Sequence, residues 1–406
     1  MQPLHCMLYL AKIKKCRNLT LNISMNFNEL IDQGNRYRSE HKPTLALKCY
    51  AQVLIEDPDN ASAWINYGNV LRECGQARRS IPFLQHAIIL DPTNATAQFN
   101  LAVAWLITGN YADGWRQYET RWHYEHLAGT APKYPQPRWQ GQDLTDKTIL
   151  VVGEQGHGDN IQFCRFLYNL HLMGAKIKLQ VTDGLVPMLQ GSSVIQQVMQ
   201  YDQDAGHFDF WIPIMSIPGI LGITLENLAQ PANYLNADAN LQQQWLQIMG
   251  PKNRMRVGFA WSGRRDAWLN DHKGMPFAHM LDLIQSNPQY EWINLQVDAT
   301  TEESQQLSAA GVTQYPGAIQ SFADTAALVM AMDVVISVDT AIAHLAGALG
   351  RPVWIALNWF GTDWRWLLDR DSSPWYSTAR LFRQPAQDDW GSVTNKIGQY
   401  LSWMKV

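Results

Sequence analysis

The sequence predicts an α + α/β protein, with helical repeats first and then two halves in which short strands alternate with helices. Two observations carry that reading. The dipeptides Asp57-Pro58 and Asp91-Pro92 stand 34 residues apart in the N-terminal part of the chain. From Lys147 onward, β-branched runs such as Thr148-Ile149-Leu150-Val151-Val152 alternate with helical stretches. Hydrophobic residues make up 46% and charged residues 17% of 406, which is enough apolar matter for two or three cores.

Charge and composition exclude several classes of function. Lys plus Arg total 32 against 36 Asp plus Glu, a formal charge of −4, whereas a phosphate-backbone binder needs a basic excess. The longest uncharged apolar stretch, Phe210 to Leu225, is shorter than the roughly 20 residues a membrane helix needs, and Pro213 and Pro218 interrupt it. Cysteines at 6, 16, 49, 74 and 164 form no C-x-x-C pair, which suggests reduced thiols in a cytoplasm rather than disulfides or a zinc site. Residues 1–25 read as a leader, either untranslated, with Met25 as the true start, or disordered. Its apolar Met1 to Leu10 precedes the basic Lys12, Lys14, Lys15 and Arg17, the reverse of a secretory signal.

The repeats occupy 26–126. Counting back from each proline aligns Leu30, Gly34, Tyr37, Ala46, Tyr50 and Pro58 with a second set, Trp64, Tyr67, Gly68, Leu71, Leu84, Ala87 and Pro92. A third unit, without its proline, runs through Leu101, Ala102, Trp105, Gly114 and Tyr118. A small residue lets two antiparallel helices approach, large ones fill the gap, and proline ends the second helix. This pattern resembles the tetratricopeptide repeat. Stacked helix pairs form a concave surface suited to a polypeptide partner, although three repeats also serve simply to extend or dimerise a domain. The aromatics Trp64, Tyr67, Trp105, Trp115, Tyr118 and Trp122 fall mostly at packing positions.

Residues 127–146, with Pro132, Pro135 and Pro137, cannot continue a helical stack and read as a linker. Two α/β halves follow, over 147–240 and 254–406. The first has strands at Thr148–Val152, Ile177–Val181 and Phe208–Ile214, with a helix from about Asn160 to Met173 after the first. The second has strands at Arg256–Ala260, Trp292–Gln296, Val334–Ser337 and Val353–Leu357. Parallel sheets of this kind bind ligands outside their strand C-termini.

The segment Asp333 to Leu357 is the most informative. A strand ends near Ser337, a turn Val338-Asp339-Thr340 follows, and a helix begins near Ala341. Small residues Ala341, Ala343, Ala346, Gly347 and Ala348 let that helix lie close to the sheet. Its N-terminus offers backbone N–H groups and a positive dipole to a phosphate. Thr340 can add a hydroxyl, and His344 can donate to a sugar or phosphate oxygen. The plainer alternative is an ordinary crossover in which Asp339 or Thr340 is an N-cap.

The motif V-D-T-x-x-x-H-L-A-x-A-L-G-x-P at 338–352 resembles that of the heptosyltransferase-like enzymes, glycosyltransferase family 9. Three further pieces agree: G-E-Q-G-H-G-D-N-I-Q-F-C-R-F at 153–166, G-F-A-W-S-G at 258–263, and D-W-R-W-L-L-D-R-D-S-S-P-W-Y at 363–376. With the repeats, the chain resembles bacterial repeat-fused glycosyltransferases and, in architecture, protein O-GlcNAc transferase. The resemblance implies a GT-B fold, a pair of Rossmann-like domains with the donor held by the C-terminal half. It also implies inverting, metal-independent transfer from a nucleotide-sugar, which is a co-substrate and not a cofactor.

Such transfer needs a base for the acceptor and positive or dipolar groups for the departing phosphate. Asp159 matches the family's G-D position and is the candidate base, with an N-cap role as the alternative; His157 is a second candidate, since its ordinary pKa suits proton transfer near neutrality. The donor-binding candidates are Trp261, Ser262, Gly263, Lys273, Gln296, Asp339, Thr340, Ala341 and His344. Lys273 matches a basic position that contacts donor phosphate in relatives, but the surrounding Asn270-Asp271-His272-Lys273-Gly274-Met275 departs from the family's usual form, and Arg264 and Arg265 are possible substitutes. Part of the tail around Asp363, Trp364 and Arg365 is expected to line the cleft, with Trp364 and Trp366 as easily core. No metal site is expected: Asp202/Asp204 and Asp369/Asp371 have D-x-D spacing but follow no clear strand.

The function expected is therefore a cytoplasmic glycosyltransferase acting on a protein or glycan acceptor, with a polypeptide bound by the repeats. Neither nucleic acid nor a transmembrane segment is expected. The alternative is a non-catalytic repeat scaffold with a degenerate transferase-like body.

Overall fold

The 34-residue spacing folds as a repeated turn between helix pairs. The computed structural model describes residues 26–124, 127–154, 156–228, 233–263 and 273–404. The leader, Arg264, Arg265 and Asn270 to His272 lie outside the described residues. Two units divide the chain: one holds residues up to Ala131 with Thr224–Glu226 and Phe360–Leu368, and the other holds the remainder.

In the first unit, helices α1 (Phe27–Ser39), α2 (Pro43–Glu56), α3 (Ala61–Glu73), α4 (Ala77–Leu90), α5 (Ala95–Ile107) and α6 (Tyr111–Tyr118) pack in consecutive pairs. Each D-P pair ends one helix, and an asparagine three residues after the aspartate starts the next. Asn60 and Asn94 accept from the Ala63 and Ala97 N–H groups at 3.1 and 3.0 Å, and their amides reach back to Asp57 and Asp91 at 3.0 and 3.1 Å. One turn thus satisfies orphan donors at the start of the next helix pair. The small residues act as expected. A Cβ on Gly34 would lie 2.5 Å from the Tyr50 ring, so only glycine lets α1 approach α2 this closely. Trp64, Tyr67, Trp115 and Tyr118 are buried.

The segment Phe360–Leu368 belongs to this unit. Its Trp364 ring stands edge-on to Trp115, Tyr111 and Tyr118 at 5.3, 6.4 and 6.3 Å, and the Gly361 N–H donates to the Glu73 carbonyl at 2.7 Å. Of the two alternatives for Trp364, these contacts favour packing, while Tyr376 at the other end of the same tail motif lies 2.8 Å from His344. Burial of the two tryptophans decides their place: Trp364 and Trp366 are both core, and Asp363 accepts from Arg365 Nη1 at 2.9 Å.

The second unit holds two parallel sheets. The first has β1 (Thr148–Val152), β2 (Lys176–Val181), β3 (Gln197–Gln200) and β4 (Phe210–Pro213) in the order β3-β2-β1-β4. Its helices are α7 (His157–Phe163), α8 (Leu167–Leu172), α9 (Val186–Leu189) and α10 (Ile217–Ile220). The single helix expected from Asn160 to Met173 is instead α7, a 3₁₀ turn at Cys164–Phe166, and α8. Trp139, fully buried, donates its N–H to the Trp211 carbonyl at 2.8 Å, so the end of the proline-rich segment packs on β4.

After α11 (Ala239–Met249), the second sheet has β5 (Arg256–Ala260), β6 (Glu291–Asn294), β7 (Val334–Val338), β8 (Val353–Leu357) and β9 (Ala379–Arg383). Their order is β6-β5-β7-β8-β9. Helices α12 (Phe277–Gln285), α13 (Thr301–Ala309), α14 (Phe322–Met330), α15 (Ala341–Ala348) and α16 (Trp390–Trp403) complete it. Every residue of β5, β7 and β8 is buried, which is why these runs, apart from Arg256 and Ser337, are apolar rather than alternating. No described helix is long and apolar enough to cross a membrane.

Candidate functional site

Each sheet has a point where successive strands begin to be added on the opposite side, and crevices open outside the strand ends there. In the first sheet that point lies between β1 and β4, and in the second between β5 and β7. The loops leaving β1, β5 and β7 carry three of the quoted motifs.

The loop after β1 is held rigidly. Buried Asn160 accepts from the Glu154 N–H at 3.1 Å and donates to the Glu154 and Gly156 carbonyls at 3.2 and 3.0 Å. Asp159, half-buried, accepts from the Gly156 N–H at 2.7 Å and closes a capping box from the third residue of α7. It is thus not the N-cap, which is Gly156. His157 opens α7, and its ring lies 5.0 Å from that of Phe322. Glu154, which the sequence reading passed over, is buried and accepts from the Met215 N–H at 2.9 Å, tying this loop to the end of β4.

The loop after β7 gathers the donor-motif side chains. Asp339 Oδ2 accepts from Lys273 Nζ at 2.8 Å, while its Oδ1 stands 3.8 Å from His344 Nε2. Asp339 and His344 each keep only 6% of side-chain exposure, so this is a nearly desolvated charged group. Thr340 is the N-cap of α15 by backbone position, yet its hydroxyl lies 2.9 Å from Ser337 Oγ and makes no cap bond. The first-turn N–H groups of α15 therefore have no side-chain cap from Thr340. On the ring's other side, His344 Nδ1 lies 2.8 Å from the Tyr376 hydroxyl.

The loop after β5 is nearer to the core than expected. The Trp261 indole is buried between Phe259 and Phe277, at 5.9 and 5.1 Å, and acts as a packing group. Gln296 accepts from the Ser262 N–H at 3.2 Å and bonds Asp298 through its amide nitrogen. It thereby shapes the loop, while Ser262 Oγ donates to the Gly263 carbonyl at 3.2 Å.

The β1 and β7 loops meet. A Cβ on Gly158 would lie 2.8 Å from His344 Cδ2 and 3.6 Å from the Ala341 nitrogen, so α7 begins against the first turn of α15. Two positive helix ends converge, with Asp159 and the Asp339–Lys273 pair beside them, an arrangement suited to an anion and a proton transfer. Two further residues of the quoted motifs reach this region, Tyr376 through its hydroxyl 2.8 Å from His344 Nδ1 and Arg165 over the Tyr376 ring at 5.1 Å. Among the described residues, no three His, Cys, Asp or Glu side chains are grouped to hold a metal ion.

Residues 317–361, which include α14, β7, α15 and β8, match the family profile of glycosyltransferase family 9 (heptosyltransferase), and residues 31–95 match a tetratricopeptide repeat. Protein FlbA of Caulobacter vibrioides is 24% identical over 431 residues, covering 90% of this chain and 71% of that protein. Among solved structures, ADP-heptose LPS heptosyltransferase II of E. coli is 14% identical at a TM-score of 0.44, covering 63% of this chain and 99% of its own. A family 9 glycosyl transferase of Veillonella parvula is 11% identical at a TM-score of 0.47, covering 66% and 92%. An O-GlcNAc transferase variant of Thermobaculum terrenum is 13% identical at 0.29, covering 94% and 91%. The two profile matches identify a glycosyltransferase joined to tetratricopeptide repeats.

Proposed function

We propose that this repeat-fused glycosyltransferase moves a sugar from a nucleoside-diphosphate donor to a protein acceptor by inverting, metal-independent transfer in the cytoplasm. The observation that carries the reading is the approach of Gly158 to the first turn of α15, which brings the G-D loop and the D-T helix start to one place. The departing diphosphate is received by Lys273, by the N–H groups at Ala341 and by the Thr340 hydroxyl. Asp339 holds the lysine, and the backbone near Ser262 and Gly263 lines the same sheet edge. Asp159 removes the acceptor proton; its carboxylate already accepts from the Gly156 N–H, which fixes its direction. The repeats present the polypeptide acceptor, a role supported by their helix-pair architecture.

The first test is thermal unfolding of the whole chain with UDP, GDP, ADP, dTDP or CMP. At 100 times its dissociation constant a true ligand adds about 2.7 kcal/mol to the folded state. One nucleotide should raise the melting temperature, and Lys273→Met should abolish that rise; silence with all five would sink the donor site. With the donor known, Asp159→Asn should cut turnover by roughly 10²-fold or more at unchanged nucleotide affinity. A chelator should leave turnover unaltered.

A scaffold without turnover is the second reading. The observation favouring it is that Lys273 is already paired with Asp339 at 2.8 Å instead of standing open to an anion. An Asp159→Asn variant with full cellular function would favour the scaffold.

A further inference from the structure

Arg165 sits in the turn between α7 and α8 and is 94% removed from solvent, its exposure being 6%. Its Nε donates to the Gln162 carbonyl at 3.1 Å. The guanidinium lies over three rings, Tyr234 at 4.7 Å and both Trp375 and Tyr376 at 5.1 Å. A buried cation held by aromatic faces is costly unless the rings and nearby dipoles repay its desolvation. The cage joins the two sheets' segments, since Arg165 follows α7 and the Trp375-Tyr376 pair precedes β9.

Tyr376 is the member that touches the donor motif. A Cβ on Gly347 would lie 2.5 Å from the Tyr376 ring, so the ring is seated directly on α15 and cannot swing. Its hydroxyl is 2.8 Å from His344 Nδ1, and the opposite ring nitrogen, Nε2, is 3.8 Å from the Asp339 carboxylate. A neutral imidazole carries one proton, and the carboxylate favours it on Nε2. With the proton on Nε2, the phenol donates to Nδ1 in preference to its other partner, the Tyr234 hydroxyl, whose own proton goes to the Ile161 carbonyl at 3.0 Å.

We infer that Tyr376, seated by Arg165, is a positioning residue that locks His344 with its Nε2 proton towards Asp339, ready to donate to the departing diphosphate. The inference deepens the donor-site reading and rests on it for the identity of the anion. The tautomer itself stands on the geometry alone.

The test uses the full chain with isotope-labelled histidine, His344 being assigned by comparison with His344→Asn. In the wild type, long-range nitrogen–proton correlations should place the proton on Nε2. Tyr376→Phe keeps the ring on Gly347 and so folds, but it should release the tautomer to a mixture or to Nδ1. Arg165→Met, which keeps the bulk and drops the charge, should move it in the same direction. A wild-type proton on Nδ1, or a tautomer unmoved in Tyr376→Phe, overturns the inference.

The second readout is affinity for whichever nucleoside diphosphate the wild type binds. Tyr376→Phe should weaken it roughly tenfold, about the worth of one misdirected hydrogen bond to a charged group. Unchanged affinity with a shifted tautomer removes Tyr376 from donor binding. If the wild type binds none of the nucleotides, the donor reading fails, while the tautomer measurement still decides the positioning role.

Discussion

Asp159 illustrates at the scale of one residue how a side chain serves local structure and proposed chemistry together. The bond from the Gly156 N–H that makes it a helix-capping group also removes its rotational freedom, as a base needs. Asp209 is a purely structural counterpart. Its carboxylate accepts from the Thr148 N–H at 2.8 Å at the start of β1, and that bond holds its pKa below the ordinary aspartate value. A lowered folded pKa gives stability that is full above the unfolded pKa and is lost as pH falls through the folded one. Asp209→Asn should therefore lower stability at neutral pH and flatten the acid limb below about pH 4, so that the two curves converge in acid. Denaturant midpoints of both proteins across that range check it; parallel curves would contradict the assignment.

At the scale of elements, the decisive contact is α7 against α15. It depends on position 158 having no side chain. Gly158→Ala would push a methyl into the His344 ring, so the contact must open, at roughly 1–3 kcal/mol by analogy with overpacked cores. Nucleotide affinity should fall along with the melting temperature. An alanine variant with wild-type affinity would show that the approach of these helix starts does not matter to the site. The splitting of the helix after β1 was not visible in the pattern, because Phe163, Phe166, Leu167 and Leu170 continue an apolar face through the 3₁₀ turn. The most buried strands, by contrast, were legible: Thr148–Val152, Arg256–Ala260 and Val353–Leu357 fall where the apolar runs predict, whereas β3 and β9, which are less fully buried, carry a weaker pattern.

For the whole molecule, the segment Phe360–Leu368 matters most. It follows β8 closely in the chain, yet it is built into the repeat unit through Trp364. The repeats thus provide the core for nine residues of a segment that the sequence assigns to the second α/β half. Trp364→Ala should cost about 3–5 kcal/mol in the unit that contains it, seen as an earlier first transition in calorimetry. Removing the repeats altogether should expose Trp364 and Trp366 and drive aggregation. A soluble truncated chain with an unchanged melting temperature would show that these nine residues stand without their aromatic partners.

The sequence by itself determined the order of repeat and strand–helix segments, because those depend on periodicity and on short-range signals such as D-P-x-N turns and glycines between helices. It also marked the loops that carry Asp159, Asp339, Thr340 and His344, since each follows a buried strand. Only the tertiary structure decided which of the candidates lie close together and which are consumed in packing. Trp261 and Gln296 sit in motifs, but one fills the core and the other braces Ser262, and neither fate leaves a trace in residue type. Arg165 and Tyr376 lie 211 positions apart, and nothing local sets a guanidinium over a ring across that distance. Burial and closure of the chain into two sheets place them there, because a side chain's partners are chosen by where its element packs and not by its neighbours in sequence.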